Sequence, residues 1–176
     1  MENSAKTRLN LGCGKHLKQG YINIDLYSQT DGVVIQDIRK LLDYYKPGTI
    51  DEIYASDVIE HISHKEVKEV LSTWCSLLKP GGKIYIKTPD ALKQAQCLLD
   101  GTWNVEIYSH MVYGGQENEG NIHLTTFTME HLEKLLKSNG ITVYDKKKIH
   151  HNLVCNRGSF NANIEVTGTK NDNWIR

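Results

Sequence analysis

Gly12-Cys13-Gly14, Asp25 and the histidines at 61, 110 and 123 are the residues whose types and spacing point to chemistry in this 176-residue chain. Glycines directly after an apolar run let the backbone approach a ligand with no Cβ in the way. A carboxylate at the end of the next apolar run is placed to accept both hydroxyls of a ribose. The stretch LNLGCGKHLKQGYINIDL carries both features. In an open α/β sheet, ligands bind beyond the carboxyl ends of the strands, where these residues would sit.

The same stretch is poorly made for a pyrophosphate. The fingerprint G-x-G-x-x-G needs a third glycine and a helix N-terminus. Leu17 stands in the third position, and six residues separate Gly14 from Tyr21. A parallel crossover that includes a helix needs about a dozen. No G-K-[ST] follows the glycines either. The ligand expected is an adenosyl group without phosphates, which disfavours a small NAD-dependent oxidoreductase. A non-catalytic adenosyl-binding module remains the alternative to an enzyme.

The elements that must position these residues alternate along the chain. β-rich runs are expected at 8–11, 21–24, 32–36, 50–55 and 83–88, several of them continuously apolar, as strands buried on both faces are. Helical spacing of Val67, Val70, Leu71, Trp74, Leu77 and Leu78 predicts a helix over 65–78. Ser63 and Glu66 are placed as its capping box, and Pro80-Gly81-Gly82 follows it. Further helices are expected over 91–99 and, capped by Thr128, over 129–138. Runs 141–149 and 162–169 flank a loop with Asn156-Arg157-Gly158 and read as an antiparallel pair. The pattern is that of an α/β sheet, mostly parallel, with one reversed strand.

In order, LNLGCG, NIDL, VIQDI, DEIYASDVIEHI and LLKPGGKIYIKTPD resemble the motifs of class I S-adenosylmethionine-dependent methyltransferases, and most of all the compact type 11 group. The resemblance implies a single domain over 1–176. It also implies a Rossmann-like three-layer sandwich, with a seven-stranded sheet of order 3-2-1-4-5-7-6 and one antiparallel strand. S-adenosyl-L-methionine would be the cofactor. Gly12 and Gly14 would pass under its methionine part, with Cys13 a small filler in the same turn. Asp25 would hold the ribose and Leu26 touch the adenine. Asp37 and Ile38 would border the adenine, and Ser56 and Asp57 would close the pocket near the sulfonium. His61, in the Glu60-His61 pair, would lie at its edge. The chain departs from the family pattern in its short first crossover, and only seven residues precede the first strand.

The acceptor end is expected in residues 100–125, a stretch without clear periodicity that reads as a loop or lid. It holds Trp103, Tyr108, His110, Tyr113 and, as an expected hinge, Gly114-Gly115. Tyr113-Gly114-Gly115 followed by His123 and Phe127 resembles small methyltransferases found alongside surface-polysaccharide genes. That likeness implies a sugar or other small polar acceptor. Acceptor oxygens or nitrogens can need a proton removed, which suits a histidine. His123 is the expected base, with His110 and Tyr113 as positioning groups. His61 and His64 have metal-like i, i+3 spacing, but the sequence offers no third ligand beside them, so no metal is expected.

Composition sets the remaining bounds. Lysines and arginines total 21, equal to the aspartates and glutamates, so no polyanion partner is indicated. No nucleic-acid stripe is seen. No apolar run approaches the roughly 20 residues of a membrane span, and MENSAKTR lacks the apolar stretch of a signal peptide. The expectation is a soluble, cytoplasmic protein. Cys13, Cys75, Cys97 and Cys155 are far apart and read as free thiols.

Overall fold

The computed structural model describes residues 6–151 and 161–172. Seven strands form one sheet: β1 (Arg8–Leu11), β2 (Ile22–Asp25), β3 (Val33–Ile35), β4 (Ile50–Ser56), β5 (Leu78–Pro89), β6 (Ile141–His151) and β7 (Asn161–Lys170). Their order is β3-β2-β1-β4-β5-β7-β6. β7 runs antiparallel to both its neighbours, and the other pairings are parallel. Sheet, order and reversed strand are those expected. Cys155 and the Asn156-Arg157-Gly158 loop lie outside the described residues, and the other three cysteines are buried. Among the described residues no helix is long and apolar enough to cross a membrane.

One face of the sheet carries the core. Leu9, Leu11, Ile24, Ile53, Ala55, Ile84, Ile86, Ile164 and Val166 are buried there, packed with Val67, Val70, Leu71 and Trp74 of α1 (Val67–Leu77). Leu132, Leu135 and Leu136 of the last helix, Met129–Lys137, join them. The Trp74 indole N–H donates to the Ile38 carbonyl at 2.9 Å, so the ring is buried without an orphaned donor. α1 starts two residues later than its spacing suggests. Ser63 does not reach Glu66 with its side chain; its Oγ accepts from Lys65 N, and its carbonyl accepts from Glu66 N and Val67 N. A separate turn therefore replaces the expected capping box.

The opposite face is different. There Arg8, Glu52, Tyr54, Lys83, Tyr85, Glu165 and Thr167 stay at least partly exposed. Tyr54 and Tyr85 stack with centroids 4.5 Å apart, and Lys18 lies over the Tyr54 ring at 4.2 Å. Of the three expected layers, the one belonging to the first two crossovers is absent among the described residues. Residues 12–21 and 26–32 contain only turns and bends, because they are too short to hold a helix.

Two buried asparagines do the work of the absent helix. Asn10 Nδ2 donates to Asn23 Oδ1 (2.8 Å) and to the His16 carbonyl (3.1 Å). Asn23 Oδ1 also accepts from Lys18 N (2.8 Å), and its Nδ2 donates to the Lys18 and Tyr21 carbonyls. The crossover backbone thus finds partners that helical bonds would otherwise supply. Asn23→Ala should cost about 2 kcal/mol by leaving buried donors unpaired. Urea denaturation checks this, and an unchanged midpoint would show that water replaces the side chain.

Residues 100–121 do not form the plain loop expected. Between α2 (Ala91–Leu99) and the last helix, α3 spans Val105–Tyr113, with Asn104 as N-cap accepting from Ile107 N at 2.9 Å; the last helix is α4. Ile107, Tyr108 and Met111 pack on a small second cluster of Cys97, Trp103 and Ala162. Gly114 ends α3 at φ +79° and is buried, and a Cβ there would lie 2.5 Å from the Asn121 carbonyl oxygen. It is a tight cap packed against its neighbours, where a hinge had been expected.

Candidate functional site

A cavity of about 170 Å³ opens at the carboxyl ends of β1, β2 and β4 and just beyond β3. Of the ten residues expected around a cofactor, Gly12, Asp25, Leu26, Asp37, Ile38, Asp57 and His61 line it. Cys13, Gly14 and Ser56 do not. Cys13 is buried below the turn, and burial, helped by the Asp25 charge, pushes its thiol up to about 11. Gly14 and Ser56 act through their neighbours: Gly14 N donates to Asp25 Oδ2, and Ser56 Oγ donates to Asp57 Oδ2, each at 2.8 Å.

Both glycines of the first turn have positive φ, +59° at Gly12 and +51° at Gly14. Gly12 also has no room for a side chain: a Cβ would overlap the Val58 Cγ2 methyl and lie 2.7 Å from Val58 Cβ. Asp25 fastens this turn to the end of β2. Besides Gly14 N on Oδ2, its Oδ1 accepts from Tyr27 N (2.8 Å) and Ser28 N (2.9 Å). A carboxylate offers about four lone-pair positions. Three are filled, which leaves room for one ligand hydroxyl instead of the two expected from sequence.

Asp37 is tied as well. It caps the 3-10 turn Ile38–Asp43 and forms a two-pronged ion pair with Arg39, with Oδ2 2.7 Å from the guanidinium Nη2. The Arg39 hydrogen bonds hold the Asp37 carboxyl below its usual range. Asp57 sits at φ +54°, paired at 2.7 Å with Lys87.

The sequence reading missed Tyr27, Arg39, Val58, Ile62, Glu119 and Gly120 in the cavity wall. Glu119 and Gly120 come from the far side of α3. Gly120 packs so closely on Tyr27 that a Cβ would meet the ring at 2.7 Å. The lining holds four carboxylates (Asp25, Asp37, Asp57, Glu119) and one guanidinium, already paired. The N–H groups of Cys13, Gly14, Tyr27 and Ser28 all donate within the chain. Such a wall repels a pyrophosphate and offers it few donors. It suits an adenosyl ligand bearing a sulfonium and an ammonium.

Beyond Asp57, the chain turns through the 3-10 segment Ile59–His61. The Glu60 carbonyl accepts from Leu124 N and Thr125 N, and Thr125 Oγ1 donates to the Ile62 carbonyl. These bonds bring His123 onto His61, ring against ring edge to face at 4.8 Å. His61 Nδ1 faces the Ile122 carbonyl at 3.1 Å, and His123 Nδ1 faces the Met111 carbonyl at 3.2 Å. Burial lowers the pKa of both imidazoles, favouring the neutral form. Glu60 is 2% exposed, accepts from Thr88 Oγ1 at 3.0 Å, and is pushed up to about 8 by burial, with Asp57 adding to the shift.

The expected positioning groups act unequally. Tyr113 accepts the His123 backbone N–H with its carbonyl at 3.0 Å, while the residue is 55% exposed. It lines, with His64, His123 and His131, a separate groove of about 380 Å³. His110, on α3, is exposed and lines neither cavity. The carbonyls that hold His123 are those of Met111 and Tyr113, at the C-terminal end of α3.

A family model described as a methyltransferase domain matches residues 3–146. No curated protein matches the chain. Among solved structures, a SAM-dependent methyltransferase from Archaeoglobus fulgidus is similar at 17% identity. That match covers 96% of this chain and 87% of the other, with a TM-score of 0.63. An S-adenosylmethionine-dependent methyltransferase from Mesorhizobium loti matches at 15% identity, over 94% and 91% of the two chains, with a TM-score of 0.65. The 1,6-didemethyltoxoflavin-N1-methyltransferase of Burkholderia thailandensis, solved with 1,6-didemethyltoxoflavin and S-adenosylhomocysteine, matches at 15% identity. There the coverage is 94% and 71%, and the TM-score is 0.60. At these identities the likeness is one of fold.

Proposed function

Since the chain belongs to the methyltransferase-domain family, we propose that it transfers a methyl group from S-adenosylmethionine to a small polar acceptor, a sugar or a surface-polysaccharide precursor being the leading class. The observation that carries this reading is the cavity at the strand tips, with its acidic wall and glycine turn. S-adenosylmethionine, when bound, supplies a methyl group already activated on a sulfonium. The chain then contributes binding, alignment and proton handling. Asp25 holds one ribose hydroxyl through its remaining lone pair, Leu26 and Ile38 border the adenine, and Asp57 faces the cationic end. Among related folds, the toxoflavin enzyme acts on a small molecule, which is consistent with an acceptor of that size.

On the acceptor side, a backbone carbonyl can only accept, so Nδ1 of His123 carries the hydrogen and Nε2 keeps a lone pair. That lone pair is the proposed proton acceptor. His123→Ala should lower turnover by about a hundredfold or more, from the lower end of what a general base contributes, and leave S-adenosylhomocysteine affinity within about threefold of wild type. A large loss of cofactor affinity in this variant would place His123 in the donor cavity instead.

Activity is tested by following S-adenosylhomocysteine formation against a panel of sugars, nucleotide sugars and small hydroxylated or amino acceptors. Turnover with a member of the panel supports the enzyme. Tight binding of S-adenosylmethionine with no turnover on any of them favours the non-catalytic adenosyl-binding module.

A further inference from the structure

We propose that Glu60, His61 and His123 form a binding site for a divalent first-row transition metal of the zinc type, standing between the donor cavity and the neighbouring groove. One potential ligand atom from each of the three lies within 4.8 Å of those of the other two. Both imidazoles are turned by the same device: Nδ1 donates to a backbone carbonyl, Ile122 for His61 and Met111 for His123. That fixes the tautomer and leaves Nε2 as the free lone pair, which is how outer hydrogen bonds orient histidines that ligate metals. The Glu60 carboxylate is buried and fixed by Thr88 Oγ1.

Two imidazoles and a carboxylate make a nitrogen and oxygen set that suits zinc and its first-row neighbours better than calcium or magnesium. Ligand bonds of about 2.0–2.1 Å in tetrahedral geometry place ligand atoms roughly 3.4 Å apart. The cluster therefore has to contract by up to about 1.4 Å, within reach of side-chain rotations. Three protein ligands leave a fourth position open.

Sequence spacing paired His61 with His64. The fold pairs it with His123 instead, and His64 lines the groove outside the cluster. His61 lines the donor cavity and His123 lines the groove. A cation here has its open position where the two meet, and there it holds and polarises an acceptor oxygen. In the metal-loaded chain the His123 lone pair is a ligand, and the cation replaces the imidazole as the group acting on the acceptor. This placement at the acceptor end rests on the function proposed above, but metal binding itself does not.

The test is a Co²⁺ titration of the purified protein without any methyl donor, read by visible d–d absorption and reversed with Zn²⁺. One Co²⁺ per chain, displaced by Zn²⁺, is expected. His123→Ala and Glu60→Gln should each weaken Co²⁺ binding at least a hundredfold, with folding checked by circular dichroism, while His64→Ala keeps the band. No saturable Co²⁺ binding by the wild type overturns the proposal. So does a site lost with His64→Ala but kept in the His123 and Glu60 variants. If Co²⁺ binds as expected and S-adenosylhomocysteine does not bind, the metal site stands and the methyl-donor reading falls.

Discussion

Gly12→Ala should destabilise the chain by about 3 kcal/mol and reduce S-adenosylhomocysteine affinity at least a hundredfold. Two causes add. A non-glycine residue at φ +59° costs about 1 kcal/mol, and the new methyl overlaps Val58, forcing overpacking worth about 1–3 kcal/mol. Both Gly12 and Val58 line the donor cavity, so the strain is released into the site itself. The two causes separate in a double-mutant cycle. In a Val58→Gly background the overlapping Cγ2 and Cβ are both gone and the backbone cost remains, so Gly12→Ala should cost about 1–3 kcal/mol less there. Equal costs in the two backgrounds would mean that backbone conformation alone demands the glycine.

Asp25→Ala is expected to be nearly as severe. It should lower S-adenosylhomocysteine affinity by about 10- to 100-fold, or roughly 1–3 kcal/mol for a lost charge-assisted hydrogen bond. It should also lower stability by about 2 kcal/mol, because Gly14 N, Tyr27 N and Ser28 N lose their common acceptor. Asp25→Asn should fall between: its amide oxygen can still serve Tyr27 and Ser28, but its NH₂ faces the Gly14 N–H. Calorimetry and thermal unfolding on the same samples distinguish the two roles. A lower melting temperature with unchanged ligand affinity would make Asp25 a tie for the turn and nothing more.

Much of the scaffold was legible because its signals are local. The sheet strands read as short apolar runs, and the helix expected over 91–99 has those bounds in the structure, where Asp90 caps it. The location of the cavity followed from two glycines and one acid at neighbouring strand ends. What stayed hidden depends on distant partners. α3 escaped notice because none of its residues is fully buried, so its apolar stripe is faint. The meeting of His61 and His123 arises from bonds between Glu60 and residues 124–125, which no spacing rule anticipates. The Asn10–Asn23 pair was invisible for the same reason: each asparagine alone reads as an ordinary polar residue in a strand. The two-pronged grip of Arg39 on Asp37 was hidden too, because no spacing rule shows a carboxylate and a guanidinium two residues apart folding back on each other.

The central claim is that the glycine turn and the carboxylates at the strand tips bind an adenosyl thioether and reject a dinucleotide. Isothermal titration of the wild-type chain with S-adenosylhomocysteine, and separately with NAD, measures this directly. One S-adenosylhomocysteine per chain, weakened by Asp25→Ala, with no heat from NAD, is the predicted result. Saturable NAD binding with none by S-adenosylhomocysteine would contradict it.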